Sequence, residues 1–486
     1  MTPHLDFHAL APEIVLTVTI IAVLLADLFL ADRESWQAPR IATIGVLAAL
    51  IPVVTLAIDG STRVMFDGAY VVDNYALAFK GLFLVVAYIT LLLSVDYIGE
   101  GDYHRGEYYF LLLTSVLGML VMASARDLIT IFVALETISI PTFVLAGWRK
   151  HDARSNEAAI KYYLIGVLSS AVMLYGMSFI FGLSGSTLLT DIANFIRQGD
   201  VPALFVVAIF LTLVGFAFKI SAVPFHFWAP DTYEGAPTPV TAFLSVASKA
   251  GGFVGLVTLV YVGFFPSTDS WQPVLWVLAA ASMTVGNLIA IRQTNIVRML
   301  AYSSVAQGGF ILVPLAVAAD GSAAQASLQA VVTYLLIYAA MNLGAFAIVI
   351  AVARRTHSGE ISSYAGLGQY APALAVLMTL FMFSLAGIPP LAGWYAKFVM
   401  FRAVLDAGTP AAITLGVIAA INSVIAFFYY ASVARQIWFR EPAVERRPTM
   451  EVPIALGVAI SLCSALVVAV GVYPQLFARV GELARF

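Results

Sequence analysis

Charged residues and cysteines are scarce in this sequence, and each scarcity excludes a class of protein. Only 11% of the 486 residues are charged, whereas 61% are hydrophobic. A typical soluble domain carries about 25% charged residues, so the composition indicates an integral membrane protein. The net charge of −3 argues against a protein that binds nucleic acid, since such proteins present a basic surface.

The single cysteine, Cys463, excludes a framework of disulfide bonds. One thiol also cannot supply the several thiolates that an iron–sulfur cluster or a structural zinc ion requires. We therefore expect no cofactor and no metal in this chain, so any redox cofactor must lie in another chain.

Long apolar runs separated by short polar loops fill most of the chain. A helix that crosses a hydrocarbon core of about 30 Å needs roughly 20 mainly apolar residues. Runs of about this length predict an all-α polytopic membrane protein with fourteen transmembrane helices. The predicted helices are 10–31, 41–58, 75–95, 108–125, 128–147, 158–183, 202–228, 240–265, 271–291, 297–319, 324–353, 371–401, 411–438 and 452–472.

Lysine and arginine concentrate in alternate loops. The loops after the odd-numbered helices hold fourteen of them, and the remaining loops and the C-terminal tail hold six. Positive residues near helix ends stay on the cytoplasmic side, so the count predicts that both termini face the periplasm. The cytoplasmic group includes Arg149, Lys150, Arg154, Arg354, Arg355, Arg446 and Arg447, and the other group is Arg63, Arg126, Arg197, Arg402, Arg479 and Arg485.

The other five basic residues lie inside the apolar runs, and all five are lysines. They are Lys80, Lys161, Lys219, Lys249 and Lys397. All nineteen arginines lie in loops or at helix ends. Lysine can give up its proton in an apolar environment and arginine cannot. The partition therefore indicates that the interior bases take part in proton transfer.

Lys219 and Lys249 are predicted to lie near mid-depth. Lys219 follows Asp200 by nineteen residues and precedes Asp231 by twelve, too far along a helix for the side chain to reach either interface. A charge near the bilayer centre costs roughly 2.5 to 3.5 kcal/mol, so such residues usually have a function.

Lys80 and Lys161 allow a simpler interpretation. Lys80 lies seven residues from Asp73, and Lys161 lies close to Glu157 at the start of its helix. Both could extend their aliphatic stems and place the ammonium group at the interface. Their role therefore stays open between proton transfer and such an interfacial position.

Glu136 also lies near the middle of its predicted helix. A buried carboxylate without a partner would stay protonated, whereas a nearby lysine would keep it ionised. The sequence therefore predicts that Glu136 pairs with one of the central lysines. The alternative is a static ion pair that only fixes the packing of two helices.

Prolines predict breaks in the seventh and twelfth helices. Residues 385–393 read LAGIPPLAG, just before Lys397, and Pro224 lies five residues after Lys219. Proline removes a hydrogen-bond donor and clashes with the preceding turn. Paired breaks in corresponding positions indicate an internal repeat of the kind found in transporters. His226, beside the first break, is a candidate proton relay or an ordinary core histidine.

Two long motifs resemble one protein family. Residues 218–240 read FKISAVPFHFWAPDTYEGAPTPV and residues 298–307 read RMLAYSSVAQ. Both resemble signatures of the antiporter-like subunits of respiratory complex I and of Mrp-type sodium/proton antiporters. Within this family, the segments LETISIP at 135–141 and SNEAAIKYY at 155–163, together with Lys397, are similar to the subunit N group of bacterial NADH-quinone oxidoreductases.

The resemblance implies an architecture. It predicts two inverted five-helix repeats, helices 4 to 8 and 9 to 13, with helices 7 and 12 broken. The corresponding division of the chain is 1–106 for helices 1 to 3, 107–265 and 266–440 for the two repeats, and 441–486 for helix 14.

The resemblance also implies roles and partners. Glu136 and Lys219 would form the pair between helices 5 and 7, Lys249 would be the central lysine, and Lys397 would lie next to the proton exit. Lys161 matches a lysine of helix 6 in the family, and Lys80 receives no role. The chain would be a membrane subunit of a translocase in the bacterial inner membrane, beside other antiporter-like and small membrane subunits, with FMN and iron–sulfur clusters in partner subunits.

Two alternatives remain at this point. The signatures alone also permit a subunit of an Mrp-type sodium/proton antiporter. A secondary transporter of small molecules would need polar groups at the helix breaks, where this sequence has mostly alanine, glycine, proline and leucine.

Overall fold

The computed structural model describes residues 5–29, 36–101, 106–199, 201–318, 322–441 and 450–483. Within these ranges the chain is mainly helical. The α-helices, in order, are α1 (Ala11–Phe29), α2 (Gln37–Asp59), α3 (Asn74–Glu100), α4 (Gly106–Ser124), α5 (Leu128–Ala146), α6 (Ala153–Ser184), α7 (Leu189–Arg197), α8 (Ala203–Lys219), α9 (Trp228–Gly235), α10 (Thr238–Phe243), α11 (Lys249–Thr258), α12 (Thr268–Ala290), α13 (Ile296–Ala316), α14 (Ser322–Thr356), α15 (Leu367–Tyr370), α16 (Pro372–Ala386), α17 (Ala392–Ala407), α18 (Pro410–Phe439), α19 (Ile454–Val472) and α20 (Gln475–Leu483).

The prediction of a polytopic helical membrane protein is confirmed. Among the described residues, twelve helices are long and apolar enough to cross a membrane, and two shorter apolar helices, α8 and α16, occupy the positions of predicted helices 7 and 12. Together they account for the fourteen predicted spans. The predicted ends at residues 31 and 319 lie outside the described residues, as do Arg446, Arg447 and Arg485.

Both predicted helix breaks are present. α8 ends at Lys219, residues 220–227 form turns, and α9 resumes at Trp228. α16 ends at Ala386 and α17 begins at Ala392, with the left-handed Gly387 (φ +92°) between them. Glycine tolerates this backbone conformation because it has no Cβ, and the prolines that follow cannot donate to a helical turn.

One continuous helical segment, Thr238–Gly263, is buried over almost all of its length. It comprises α10 and α11 and contains two π-helical turns, Leu244–Ser248 and Leu259–Gly263. The first turn ends directly before Lys249. Such turns are frequent at functional sites, and the hydrophobic pattern did not predict them.

Short elements that the sequence did not predict lie at the ends of the helices. An antiparallel hairpin pairs β1 (Arg63–Met65) with β2 (Tyr70–Val72). α7 and α20 are amphipathic and nine residues long. All of them are too short or too polar to meet a membrane-span criterion. The proposed residue boundaries of the two repeats stay a prediction.

Candidate functional site

Lys219 lies at the C-terminal end of α8 with 1% of its surface exposed. Its ammonium group donates a hydrogen bond to Ser139 Oγ of α5 at 2.9 Å. The stem packs against α11, where a Cβ on Gly252 would lie 2.9 Å from Lys219 Cγ. The helix break therefore places the ammonium group against helix 5, as the sequence predicts.

Glu136 lies on the same helix as Ser139 but does not form the predicted ion pair with Lys219. Its Oε1 atom accepts a hydrogen bond from Ser170 Oγ of α6 at 2.5 Å, and the ion pairs of the described residues do not include it. In place of a direct contact between the two charged groups, Lys219 contacts the hydroxyl of Ser139 and Glu136 contacts the hydroxyl of Ser170.

Lys249 begins α11, directly after the first π-helical turn. The side chain is 1% exposed and donates to the carbonyl oxygen of Ser304 on α13 at 2.6 Å. Gly308 lies one turn further along α13 and leaves space beside this ammonium group. A Cβ at that position would lie 3.7 Å from Lys249 Nζ and 3.3 Å from the carbonyl oxygen of Ile220. The central lysine therefore faces the break that follows Lys219.

Lys397 lies on α17, the second half of the other broken helix. It is 6% exposed and donates to the carbonyl oxygen of Ala386, the last residue of α16, at 2.7 Å. Its Nζ atom also lies 4.9 Å from the ring centroid of Phe310. The ammonium group therefore occupies the gap between the two helix halves.

Lys219, Lys249 and Lys397 share one chemical environment. Each is buried, and each donates to a neutral oxygen rather than to a carboxylate. A buried ammonium group without an ion-pair partner is costly. All three ammonium groups are therefore held without a salt bridge.

Polar side chains that the sequence analysis did not single out lie between Lys249 and Lys397. Gln307 donates to the carbonyl oxygen of Leu385 at 3.1 Å and to the Tyr430 hydroxyl at 3.2 Å. It accepts from Tyr334 at 2.7 Å, and Tyr430 also bonds Ser303 at 2.5 Å. Gln307 and Ser303 stand in the segment 298–307, so the second signature could have indicated them.

The role of Lys80 stays open between proton transfer and an interfacial position. The side chain is fully buried, and its Nζ atom lies 2.8 Å from Glu13 Oε1 of α1. It also donates to the Tyr70 hydroxyl at 3.2 Å. The nearby Asp73 is instead paired with Arg126 at 2.8 Å. The partner of Lys80 thus comes from a helix that spacing along the chain could not indicate.

Lys161 belongs to an ionic cluster formed by residues of α6, α9 and α13. Its side chain is 43% exposed and pairs with Glu157 at 2.8 Å and with Asp231 at 2.7 Å. Arg298 of α13 joins the cluster through Asp231 at 2.9 Å and Glu234 at 2.7 Å. These residues line a cavity of about 310 Å³, and their arrangement fits the interfacial interpretation of Lys161.

Asp231 stays ionised within this cluster. Burial alone would raise the pKa of its carboxyl group, but the hydrogen bonds from Lys161 and Arg298 outweigh burial and lower the pKa below its ordinary value. The cluster therefore connects α6, α9 and α13 by charge-assisted hydrogen bonds.

His226 lies in the turns between α8 and α9 and is 4% exposed. Its ring packs against Phe227, with 4.6 Å between the centroids. No hydrogen bond of the described residues connects it to Lys219 or Lys249. This position fits a core histidine, and a relay role stays a prediction. No cluster of three or more potential metal ligands occurs among the described residues.

Comparisons with known proteins agree with this geometry. A family described as NADH:quinone oxidoreductase/Mrp antiporter, TM, matches residues 125–423. NADH-quinone oxidoreductase subunit N of Trichlorobacter lovleyi is 39% identical over 485 residues, covering 99% of this chain and 97% of the relative. The subunit N of Heliobacterium modesticaldum is 40% identical over 482 residues, covering 99% of both chains.

Solved structures share the fold. A chain of respiratory complex I from Thermus thermophilus matches with a TM-score of 0.80 at 30% identity, over 96% of this chain and 98% of that one. A chain of the Mrp complex from Dietzia sp. matches with a TM-score of 0.87 at 21% identity, over 99% and 97%. The second match concerns the fold alone. The chain belongs to the NADH:quinone oxidoreductase/Mrp antiporter transmembrane family and, within it, groups with subunit N of the NADH-quinone oxidoreductases.

Proposed function

We propose that this chain is a proton-translocating membrane subunit of a bacterial NADH-quinone oxidoreductase. Oxidation of NADH and reduction of quinone take place in partner subunits, which hold the FMN and the iron–sulfur clusters. The chain itself carries protons across the inner membrane. Its immediate neighbours are other antiporter-like subunits and small membrane subunits.

One observation carries the proposal: three buried lysines donate to neutral oxygens at or beside the helix breaks. Lys219 is the last residue of α8, and Lys249 faces the turns that come after it. The ammonium group of Lys397 lies in the second break. Irregular backbone at membrane depth is tolerated where it is buried in protein or lines a water-filled cavity. At the second break, the carbonyl oxygen of Ala386 accepts from the Lys397 ammonium group.

The carboxylate of Glu136 sets the charge next to the first lysine. Because the two groups are not in contact, a small movement of α5 relative to α8 changes the interaction without breaking a packed ion pair. The field of Glu136 favours the proton on Lys219, and loss of that field favours its release towards Lys249. Gln307 and Tyr430 are the polar side chains that lie along the proposed route from Lys249 to Lys397.

The orientation of the chain follows from its loop charges. We infer that the loops with Arg149 and Arg354 face the cytoplasm and that both termini face the periplasm. The ionic cluster around Asp231 then lies on the cytoplasmic side, where protons are taken up.

The substitution Lys219→Arg tests the proposal. Arginine keeps the positive charge but cannot lose its proton. A static role would tolerate it, whereas proton transfer would not. We expect an assembled complex with proton translocation lowered by about tenfold or more, which corresponds to at least ~1.4 kcal/mol.

The matched control is Lys150→Arg, which makes the same exchange at the one lysine outside the apolar runs. It should leave pumping unchanged. Proton uptake by proteoliposomes containing the whole complex is the measurement, with subunit content as the check on assembly. Pumping close to wild type in an assembled Lys219→Arg complex would rule out a transferable proton at this position.

A subunit of an Mrp-type antiporter is the alternative, supported by the fold shared with the Mrp complex from Dietzia sp.. Purification of the native assembly separates the two. Flavin and iron–sulfur spectra in the purified complex are expected for an oxidoreductase and would be absent from an antiporter.

A further inference from the structure

A groove with apolar walls runs along α3, away from the lysine row formed by Lys219, Lys249 and Lys397. It lies between α2, α3, α14, α19 and α20 and has a volume of about 420 Å³. Among the described residues that line it, only Asn74, the first residue of α3, is polar. Neither the lysine row nor the ionic cluster around Asp231 contributes to its walls. The groove therefore calls for an explanation that does not involve proton transfer.

The groove is long and thin. Along α3 its lining extends from Asn74 to Ile89, and fifteen residues at a helical rise of about 1.5 Å correspond to ~22 Å. A volume of about 420 Å³ over this length leaves a mean cross-section of roughly 19 Å². A helix with its side chains is at least ~10 Å wide, which gives a cross-section of ~80 Å². The groove is therefore about four times too narrow for a helix of a partner subunit, but it admits a single unbranched hydrocarbon chain.

Small residues on two facing helices make this space. Ala78 and Gly81 of α3 and Ala339 and Ala340 of α14 line the groove. A Cβ on Gly81 would have Val53 Cγ1 as its nearest neighbour, at 3.9 Å, which is an ordinary contact. Walls that faced an empty groove would forgo dispersion contacts along its whole length. We therefore expect apolar material to fill it.

The groove is continuous with the outer apolar surface of the chain. Val85 of α3 is 38% exposed and Leu483 of α20 is 57% exposed, and both side chains line the groove. Lipid tails are as apolar as these side chains, so the outer surface of a membrane helix is in contact with them. A lipid chain can therefore enter the groove sideways from the bilayer.

The polar end of the groove is formed by the start of α3 and by α20. α3 and α19 correspond to the third and fourteenth spans, which run in opposite directions, so the end of α19 lies beside the start of α3. α20 follows this end, is amphipathic, and lines the groove with Phe477, Val480 and Leu483. Amphipathic helices of this kind lie in the membrane interface. The groove therefore extends from the interface into the hydrocarbon region.

Arg479 gives this end a positive charge. Its side chain is exposed, and it precedes Leu483 by four residues, so the two share one face of α20. Guanidinium groups bind phosphate through charge-assisted hydrogen bonds. The arginine therefore lies where the phosphate of a lipid headgroup would be, if the chain of that lipid occupied the groove.

We propose that the groove binds one acyl chain of a phospholipid. The phosphate lies at Arg479, and the chain follows α3 towards Ile89. With the orientation inferred from the loop charges, the lipid belongs to the periplasmic leaflet. The site uses no group of the lysine row, so its test is independent of whether Lys219→Arg pumps protons.

Photocrosslinking in proteoliposomes of the whole complex tests the site. The probe is phosphatidylglycerol with a diazirine in the middle of one acyl chain, and peptide mass spectrometry locates the adducts. We expect adducts in the groove near Leu82 of α3 and Ala340 of α14. Adducts on the outer apolar surfaces of the complex show that the reaction has worked. If those surfaces are labelled and the groove is not, a partner chain covers the groove or nothing enters it, and the proposal fails.

Gly81→Leu is the blocking variant, because the larger side chain takes up space in the groove. It should lower the groove adducts about fivefold or more, with subunit content as the check on assembly. Gly457→Leu on α19 makes the same exchange outside the groove, at a position where no atom lies within 4 Å of the Cβ. This control should be labelled like the wild type. Equal groove labelling of the two variants would contradict a chain bound beside Gly81.

A diacylglycerol with the same diazirine chain tests the headgroup, because it carries the hydrocarbon without the phosphate. The phospholipid should label the groove about threefold more strongly than the diacylglycerol. Arg479→Gln removes the cation and should bring the two probes close to equal labelling. Equal labelling by both probes in the unmodified complex would show that no phosphate is recognised, and the assignment of a phospholipid would be overturned.

Discussion

At the scale of single residues, two glycines leave the room that the side chains of Lys397 and Lys219 occupy. A Cβ on Gly387 would lie 2.7 Å from Lys397 Cδ, and one on Gly252 would lie 2.9 Å from Lys219 Cγ. Contacts under 3.0 Å force a neighbour to move. The position of each ammonium group therefore depends on a residue with no side chain of its own.

Glu136→Gln should lower proton pumping and leave assembly intact. Glutamine can keep the hydrogen bond with Ser170 but removes the charge that, in the proposed function, acts on Lys219. A change of ~1.4 kcal/mol in the free energy of holding the Lys219 proton alters its occupancy about tenfold. Proton translocation coupled to quinone reduction is the measurement, and Glu136→Asp, which keeps the charge, is the control. An assembled Glu136→Gln complex with normal coupling would show that Lys219 does not need this carboxylate.

The sequence predicts that Lys219 and Lys249 are buried, but not what they contact. The number of residues between each lysine and the nearest loops, multiplied by the helical rise per residue, places Lys219 and Lys249 near mid-depth. This works because the count needs only the sequence close to each lysine. The partner of Lys80, in contrast, is Glu13, which is 67 positions away on another helix. The hydroxyls of Ser139 and Ser170 likewise replace the predicted Glu136–Lys219 contact, and nothing in the spacing of charged residues indicates a serine.

At the scale of elements, the two halves of the second broken helix pack unusually closely. The amide of Gly393, near the start of α17, donates to Ser384 Oγ of α16 at 3.1 Å. A Cβ on Gly393 would lie 1.7 Å from the carbonyl oxygen of Ser384. The crossing of α16 and α17 thus depends on this glycine, one turn before Lys397.

Gly393→Ala should destabilise the subunit and reduce pumping. Overpacking of this kind costs about 1 to 3 kcal/mol, and relief requires a shift of α17 that also moves Lys397. Thermal denaturation of the purified complex and its pumping rate are the measurements. Gly457→Ala on α19 is the matched control, since no atom lies within 4 Å of its Cβ position. Equal melting temperatures for the two variants would contradict the close packing.

The elements also differ in how far the sequence predicts them. Proline and a left-handed glycine interrupt a helix through local chemistry, so both breaks could be predicted. The two π-helical turns lie in a segment that is almost entirely buried, and they leave no periodic signal in the sequence. The β1–β2 hairpin and α20 are too short for a hydrophobic window to detect.

At the scale of the whole molecule, the direction of transport depends on the orientation in the membrane. Cys463 is buried and is the only cysteine, so introduced cysteines can be labelled against a low background. Ser61 and His151 are both exposed, and they lie in loops that the charge count places on opposite sides. An impermeant maleimide added to intact cells should label Ser61→Cys and not His151→Cys. The reverse labelling would invert the topology.

In the proposed function, the depth of the lysine row also makes proton transfer responsive to voltage. Lys249 lies near the middle of the buried segment Thr238–Gly263, so a proton that reaches it has crossed about half of the membrane field. A full crossing changes the free energy by ~2.3 kcal/mol per 100 mV, so half a crossing amounts to ~1.2 kcal/mol. With the cytoplasm negative, this work opposes every proton taken up from that side and lowers the occupancy of Lys249 about sevenfold at 100 mV. An energised membrane therefore restrains the pump at its loading step, before any proton has been released.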